Sequence, residues 1–381
     1  MKGLISFLLA LAAPSAALAA NPVEPPEVAR VPVSMLVDLG SGEVLVAHRP
    51  DVSFLPASVT KVMTAYVAFE EIAAGRLPLD RRFTVRPETA REWFAKGTTM
   101  YLQPGMAPDT DALLHGIMTA SANDASMVLA EGYAGNVQTW TLMMNDAARR
   151  LGMTHSHFNT PNGWMDEGQT FVSARDLVRL ADAMTMRYPS LYNRFSGQKT
   201  YRWGHVAMRS HDPTVGVVPG ADGIKTGYTR EAGYNFLGSA ERDGRRLVMV
   251  LAGAKTHWDR NAAAKALLEW GFREWRAYPL VPRGEVVARA RVQDGSATSV
   301  PLIANRDLYA TVPRYARSRV ALRLHYQGPL MAPVLKGTKV AEVEVLVDGV
   351  ESSRIPLYAA QEVPTAGVFA RLRNGIMNLF A

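Results

Sequence analysis

Between Pro56 and Glu71 the chain reads PASVTKVMTAYVAFEE, a segment with helical spacing and almost no polar face. Val59, Val62, Met63, Tyr66 and Val67 cover most of its surface with apolar groups, so the helix belongs inside a domain and not on its outside. Lys61 is carried inside with it. Residues three apart are neighbours on one helical face, which brings the Ser58 hydroxyl within reach of that ammonium group, and Pro56 suits the helix start. A hydroxyl is a weak nucleophile until a base takes its proton. Burial makes the charged form of a lysine costly and so turns the side chain into such a base.

The spacing alone is not specific, because Ser196 and Lys199 repeat it in RFSGQKTY, where Gly197 and aromatic neighbours indicate a turn. Two further clusters supply what the pair needs. Ser121-Ala122-Asn123 lies between two helical segments and offers a hydroxyl for proton transfer and an amide to hold the lysine or a substrate carbonyl. Lys225-Thr226-Gly227 opens a strand run, where Lys225 can hold an anion by charge and Thr226 by its hydroxyl, while Gly227 lets a substrate backbone approach closely.

Around these clusters the patterning changes several times. VSMLVDLGSGEVLVAHRP reads as two strands around Gly40-Ser41-Gly42. Helical spacing runs from Pro56 to about Met186, and strands return in AGYNFLGSAERDGRRLVMVLAGA, with a tight turn expected at Asp243-Gly244. The amphipathic segment NAAAKALLEWGFREW follows. This order predicts one antiparallel sheet built from the first and last segments, with a helical insertion. From Leu280 to about Pro364, short Val-rich runs punctuated by Gly and Pro indicate a small all-β module.

A chain of 381 residues, 48% of them hydrophobic, is long enough for two such domains. Residues 1–20 match a secretory signal peptide, with Lys2, an apolar run from Leu4 to Ala13, and Ala17-Leu18-Ala19 before the expected cleavage. Cysteine is absent, which excludes disulfides and thiol chemistry. The formal charge of +7 is spread without basic blocks, which argues against a nucleic-acid partner and suits attraction to an anionic membrane or wall polymer. Residues 366–381, AGVFARLRNGIMNLFA, place Val368, Phe369, Leu372, Ile376, Leu379 and Phe380 on one helical arc. Such a helix lies in a membrane interface or docks on its own domain, and its place after a Pro-Thr-Ala-Gly hinge favours the membrane.

In this order, the three motifs resemble the penicillin-binding D-alanyl-D-alanine carboxypeptidases, the low-molecular-mass serine group. TTMYLQPGM, HFNTPNGWMDEGQTFVSARDL and THWDRNAAAKALLEWGF extend the resemblance over nearly the whole chain. It implies an α/β (α+β) catalytic domain of the serine β-lactamase/transpeptidase kind over residues 28–277. A β-rich domain over 278–365 and the C-terminal anchoring helix would follow. It implies Ser58 as the acylated nucleophile, Lys61 as its base, and Ser121 as the relay to the leaving amine. Asn123 would position Lys61 and substrate, and Lys225, Thr226 and Arg260 would engage the terminal carboxylate beside Gly227. The backbone N–H groups of Ser58 and Tyr228 would form the oxyanion hole. Many relatives have histidine where this chain has Tyr228. The expected partners are a peptidoglycan stem peptide, β-lactams and the periplasmic face of the inner membrane, with no cofactor or metal.

Two other readings stay open: a β-lactamase on the same motifs, and a catalytically idle wall-binding protein. His155 and His157 alternate like a strand-based metal pair, but no third ligand accompanies them. Asp166-Glu167 is comparable to the deacylating acid of class A β-lactamases, but it lacks the usual asparagine and fits a solvent-facing loop.

Overall fold

A computed structural model describes residues 9–10 and 22–367. The expected leader and C-terminal helix lie almost wholly outside these residues. Among the described residues no helix is long and apolar enough to cross a membrane. The chain divides into two compact units, a larger one of residues 24–37 and 45–271 and a smaller one that takes in 38–44 and the chain from 272 onward.

The centre of the larger unit is a five-stranded sheet in the order Val44–His48, Val33–Asp38, Arg245–Ala254, Gly233–Arg242, Ala221–Thr229. The first and last segments of the domain are thus side by side, with the helices inserted between them. Val33–Asp38 is buried at every position, as its near-continuous apolar run demands. Asp243 and Gly244 both take positive φ, 52° and 75°, and close the expected two-residue hairpin between antiparallel strands. The helix His257–Glu274 rests on this sheet at Gly271, where an added Cβ would stand 2.8 Å from both Leu36 and Leu247.

The buried helix is Lys61–Ala73, in which Val62, Met63, Ala65, Tyr66, Ala68 and Phe69 are wholly inaccessible. It packs against Asn123–Ala134, Val137–Arg150 and Ala174–Arg187. Ser173 caps the last of these by accepting from the Asp176 N–H at 3.2 Å. Each neighbour therefore turns an apolar face to a helix that is buried at every position from Lys61 to Phe69.

The smaller unit is built of strands, as its Val-rich runs predict. Val320–His325, Lys339–Val347, Val350–Ala359, Ser299–Ile303 and Val286–Gln293 pair antiparallel in that order, and Leu330–Met331 adds in parallel at the edge. Trp275–Val281 pairs separately with Leu308–Pro313. Val292, Val300, Leu302, Leu308, Val345 and Leu357 fill its core.

Candidate active site

Ser58 and Lys61 do not lie on one continuous α-helix. Residues Ala57–Thr60 form a 3-10 turn, and Lys61 is the first residue of the α-helix that follows. In a 3-10 turn side chains at i and i+3 eclipse, so the two groups face each other more directly than α-helical spacing would allow. Lys61 Nζ stands 2.9 Å from Ser58 Oγ, 2.8 Å from Asn123 Oδ1 and 2.7 Å from the Asn162 carbonyl. The lysine is fully inaccessible. Burial holds its pKa well below the ordinary value, the Lys225 charge lowers it further, and Asp124 opposes both.

These distances define what the amine can do. A neutral amine has two N–H groups and one lone pair. With its N–H groups donated to Asn123 and Asn162, the lone pair is left to accept the Ser58 proton. The two acceptors orient the base.

Ser121 follows a π-helical turn, Gly116–Ala120, and takes a left-handed φ of 64°, uncommon outside glycine. Its Oγ is buried with no hydrogen-bond partner among the described residues, a costly state for a hydroxyl that waits for a ligand or proton. Asn123 begins the next helix and donates from Nδ2 to the Lys96 carbonyl at 2.9 Å.

Ala221–Thr229 is the edge of the sheet and neighbours the Ala57–Thr60 turn, so backbone groups along it are left for a ligand. Lys225 is 4% exposed, and burial brings its pKa down to about 7, with Asp212 raising it and Arg260 lowering it. Arg260 is also nearly buried, and its guanidinium donates to Asn261 Oδ1 at 2.7 and 2.9 Å. Two mutually repelling cations held close together form a site for an anion.

A groove of about 520 Å³ gathers Ser58, Ser121, Asn123, Thr226, Gly227, Tyr228 and Arg260 along its wall. Lys61 and Lys225 lie beneath that wall. Gly227 has a structural reason to be glycine: an added Cβ would stand 2.5 Å from the Pro56 carbonyl and 3.1 Å from the Ser58 nitrogen. Its smallness admits the turn that carries Ser58, where the sequence pointed to a substrate backbone. Tyr228 is 54% exposed and stacks on Tyr234 with ring centroids 4.2 Å apart.

The groove also contains residues that sequence reasoning did not select, among them Asn162, Trp164, His211 and Tyr234. Asn162 holds Lys61 through a backbone carbonyl, which every residue possesses, so its identity carries no signal. Trp164 and Asn162 do fall in the family-like segment HFNTPNGWM. His211 had no motif around it; burial, Lys225 and Arg260 all lower its pKa.

The set-aside groups lie elsewhere. Asp166 accepts from the Thr170 N–H at 3.1 Å and hydroxyl at 2.6 Å, and with Glu167 it lines a separate hollow that does not contain Ser58. His157 bonds the Gln169 carbonyl at 2.9 Å, and among the described residues no group of three ligating side chains could hold a metal.

The family model for D-alanyl-D-alanine carboxypeptidases matches residues 20–256, and that for the C-terminal domain of penicillin-binding protein 5 matches 275–365. The D-alanyl-D-alanine carboxypeptidase DacA of Haemophilus influenzae is 30% identical over 92% of this chain and 89% of its own length. DacA of Escherichia coli is 31% identical over 91% and 87%. The crystal structure of penicillin-binding protein 5 from Haemophilus influenzae superposes with a TM-score of 0.77 at 29% identity, covering 90% of this chain and all of that one. The ampicillin-bound penicillin-binding protein D2 of Listeria monocytogenes superposes at 0.58 and 26% identity, over 64% of this chain and 98% of its own. With a paired serine and lysine, an unpartnered serine and a two-cation anion pocket around one groove, the chain belongs to the D-alanyl-D-alanine carboxypeptidase family.

Proposed function

We infer that this protein is a serine-type D-Ala-D-Ala carboxypeptidase that removes the terminal D-alanine from peptidoglycan stem peptides and is acylated by penicillin. The observation that carries the reading is the buried Lys61 amine 2.9 Å from Ser58 Oγ, oriented by Asn123 and Asn162. Lys225, Thr226 and Arg260 receive the terminal carboxylate. Lys61 takes the Ser58 proton as Oγ attacks the carbonyl between the last two D-alanines, and the backbone N–H groups of Ser58 and Tyr228 stabilise the oxyanion. Such donors typically contribute about 3 kcal/mol each to the transition state. Ser121 passes a proton to the departing amine of D-alanine. Water then attacks the ester, with Lys61 again the base, and frees Ser58.

Fluorescent penicillin tests this directly. Residues 21–365 of the wild type should take one covalent label and release D-alanine from a pentapeptide, whereas Ser58→Ala should lose both, with hydrolysis down at least about 10⁴-fold. Labelling that survives Ser58→Ala would sink the assignment.

The leader-like N-terminus and the apolar arc of residues 366–381 support export and attachment to the periplasmic face of the inner membrane. Deleting 366–381 should move the protein from the membrane to the soluble periplasmic fraction and leave hydrolysis of small peptides intact. Unchanged membrane association would refute the anchor.

A further inference from the structure

Lys61 is held from two sides, by Asn123 on one wall of the groove and by the Asn162 carbonyl on the other. Neither wall belongs to the helix that carries Lys61, so something must keep their separation constant. The first wall rests on the segment from Phe94 to Leu102. Lys96 and Thr98 carbonyls accept from Asn123 Nδ2 and Asn123 N at 2.9 and 2.8 Å, and Thr98 Oγ1 donates to the Ser121 carbonyl at 2.7 Å. Asp124 holds the far end of this strap by accepting from the N–H groups of Met100 and Leu102. Between them Gly97 takes a φ of 70°, and a Cβ there would stand 2.8 Å from Asn123 Nδ2 and 3.0 Å from the Trp164 ring. The strap is therefore wedged between both walls.

What closes the near end is a cation between two indoles. Lys96 Nζ stands 4.4 Å from the ring centroid of Trp93 and 5.3 Å from that of Trp164, and the two rings meet edge to face at 5.8 Å. Trp93 ends the helix Pro87–Trp93 on the strap side, whereas Trp164 lies two residues beyond Asn162 on the other wall, and its backbone N–H donates to Asn162 Oδ1 at 2.9 Å. The carboxylate of Glu92, 3.7 Å from Lys96 Nζ, is solvent-exposed, and such a surface ion pair is weak.

We propose that Lys96 is a positioning residue for acylation, a cationic clamp between Trp93 and Trp164 that holds the Asn123 and Asn162 walls at the distance Lys61 requires. It touches neither Ser58 nor the anion pocket, so it acts on the geometry of the base and not on substrate affinity. The inference rests on the acylation reading above.

The test measures labelling rate against penicillin concentration for the wild type, Lys96→Met and Lys96→Arg, with thermal melting of each. Methionine keeps the apolar stem and removes the charge, whereas arginine keeps a cation that stacks on indole. Misplacement of the base predicts that Lys96→Met loses about tenfold in maximal acylation rate, with the half-saturating concentration changed less than about twofold. Lys96→Arg should recover at least about half of the wild-type rate. A Lys96→Met protein that acylates like the wild type overturns the clamp, as does a loss seen only in half-saturation or one that arginine fails to restore. If Lys96→Met does not melt cooperatively, Trp93→Leu replaces it, with the same loss expected and wild-type behaviour overturning the proposal. A wild type that takes no label overturns the clamp and the acylation reading together.

Discussion

Buried charge is treated in opposite ways in the two units. In the β-rich unit Glu344 is 5% exposed and meets the His325 ring at 2.5 Å and the Arg323 guanidinium at 3.4 Å, so its carboxylate is surrounded by donors. In the catalytic unit Lys61 and Lys225 are as deeply buried, but among the described residues neither forms an ion pair; their bonded neighbours are a hydroxyl, an amide and backbone carbonyls. Burial beside opposite charges ties strands together, whereas burial without an ion pair lowers a lysine's pKa, which at Lys61 favours the amine that can act as a base. The contrast separates burial that holds a fold from burial that prepares a reaction.

The largest effect is expected at Lys61. Lys61→Met should lower penicillin acylation by about 10³-fold, the loss of a general base, yet melt no lower than the wild type because a desolvated amine has been replaced by an apolar group. Glu344→Ala should do the reverse, leaving acylation unchanged while lowering stability by about 1–3 kcal/mol in urea unfolding, because His325 and Arg323 lose their acceptor. A strongly destabilised Lys61→Met protein would place Lys61 with Glu344 as a structural group.

Lys225 should give a smaller effect. Lys225→Met should cost about 10- to 100-fold in kcat/KM for peptides with a free terminal carboxylate and much less for the same peptides ending in an amide. Equal losses on both would remove the carboxylate from its role.

The lowered Lys225 pKa also makes stability depend on pH. Below pH about 7 Lys225 is protonated in both folded and unfolded chains, but between about 7 and 10.5 only the unfolded chain keeps that proton. Stability therefore rises with pH across this window, and the rise should shrink in Lys225→Met. A slope in urea unfolding that is identical in both proteins would contradict the shift. The smallest effect is expected at Tyr228, where Tyr228→Ala should change penicillin acylation less than about threefold, because the group assigned there is a backbone N–H.

Much of the site was legible because the motifs are local. Ser58 with Lys61, Ser121 with Asn123, and Lys225 with Thr226 each bring chemistry within a few residues, and the groove collects all three. The Asp243-Gly244 hairpin was equally plain, since only residues tolerant of positive φ suit it. The 3-10 turn under Ser58 was not, because a short i+3 turn and the first turn of an α-helix share one hydrophobic pattern. Gly227 was selected for a different reason from the one found: what crowds it is the Pro56 carbonyl, distant in the chain. Asn162 and Lys96 went unseen because each meets its partners across segments distant in the chain, and His211 because no motif surrounds it.

By itself, the sequence determined which groups this protein carries and their spacing along the chain: a hydroxyl one turn from a lysine, a second serine beside an amide, a lysine and threonine on a strand, and a separate Val-rich domain. Only the tertiary structure decided that the Lys61 pKa falls well below its ordinary value. That lowering comes from complete desolvation and the charge at Lys225, against Asp124, while two acceptors supplied by different segments orient the amine. Each is set by packing across the fold, where local spacing has no reach.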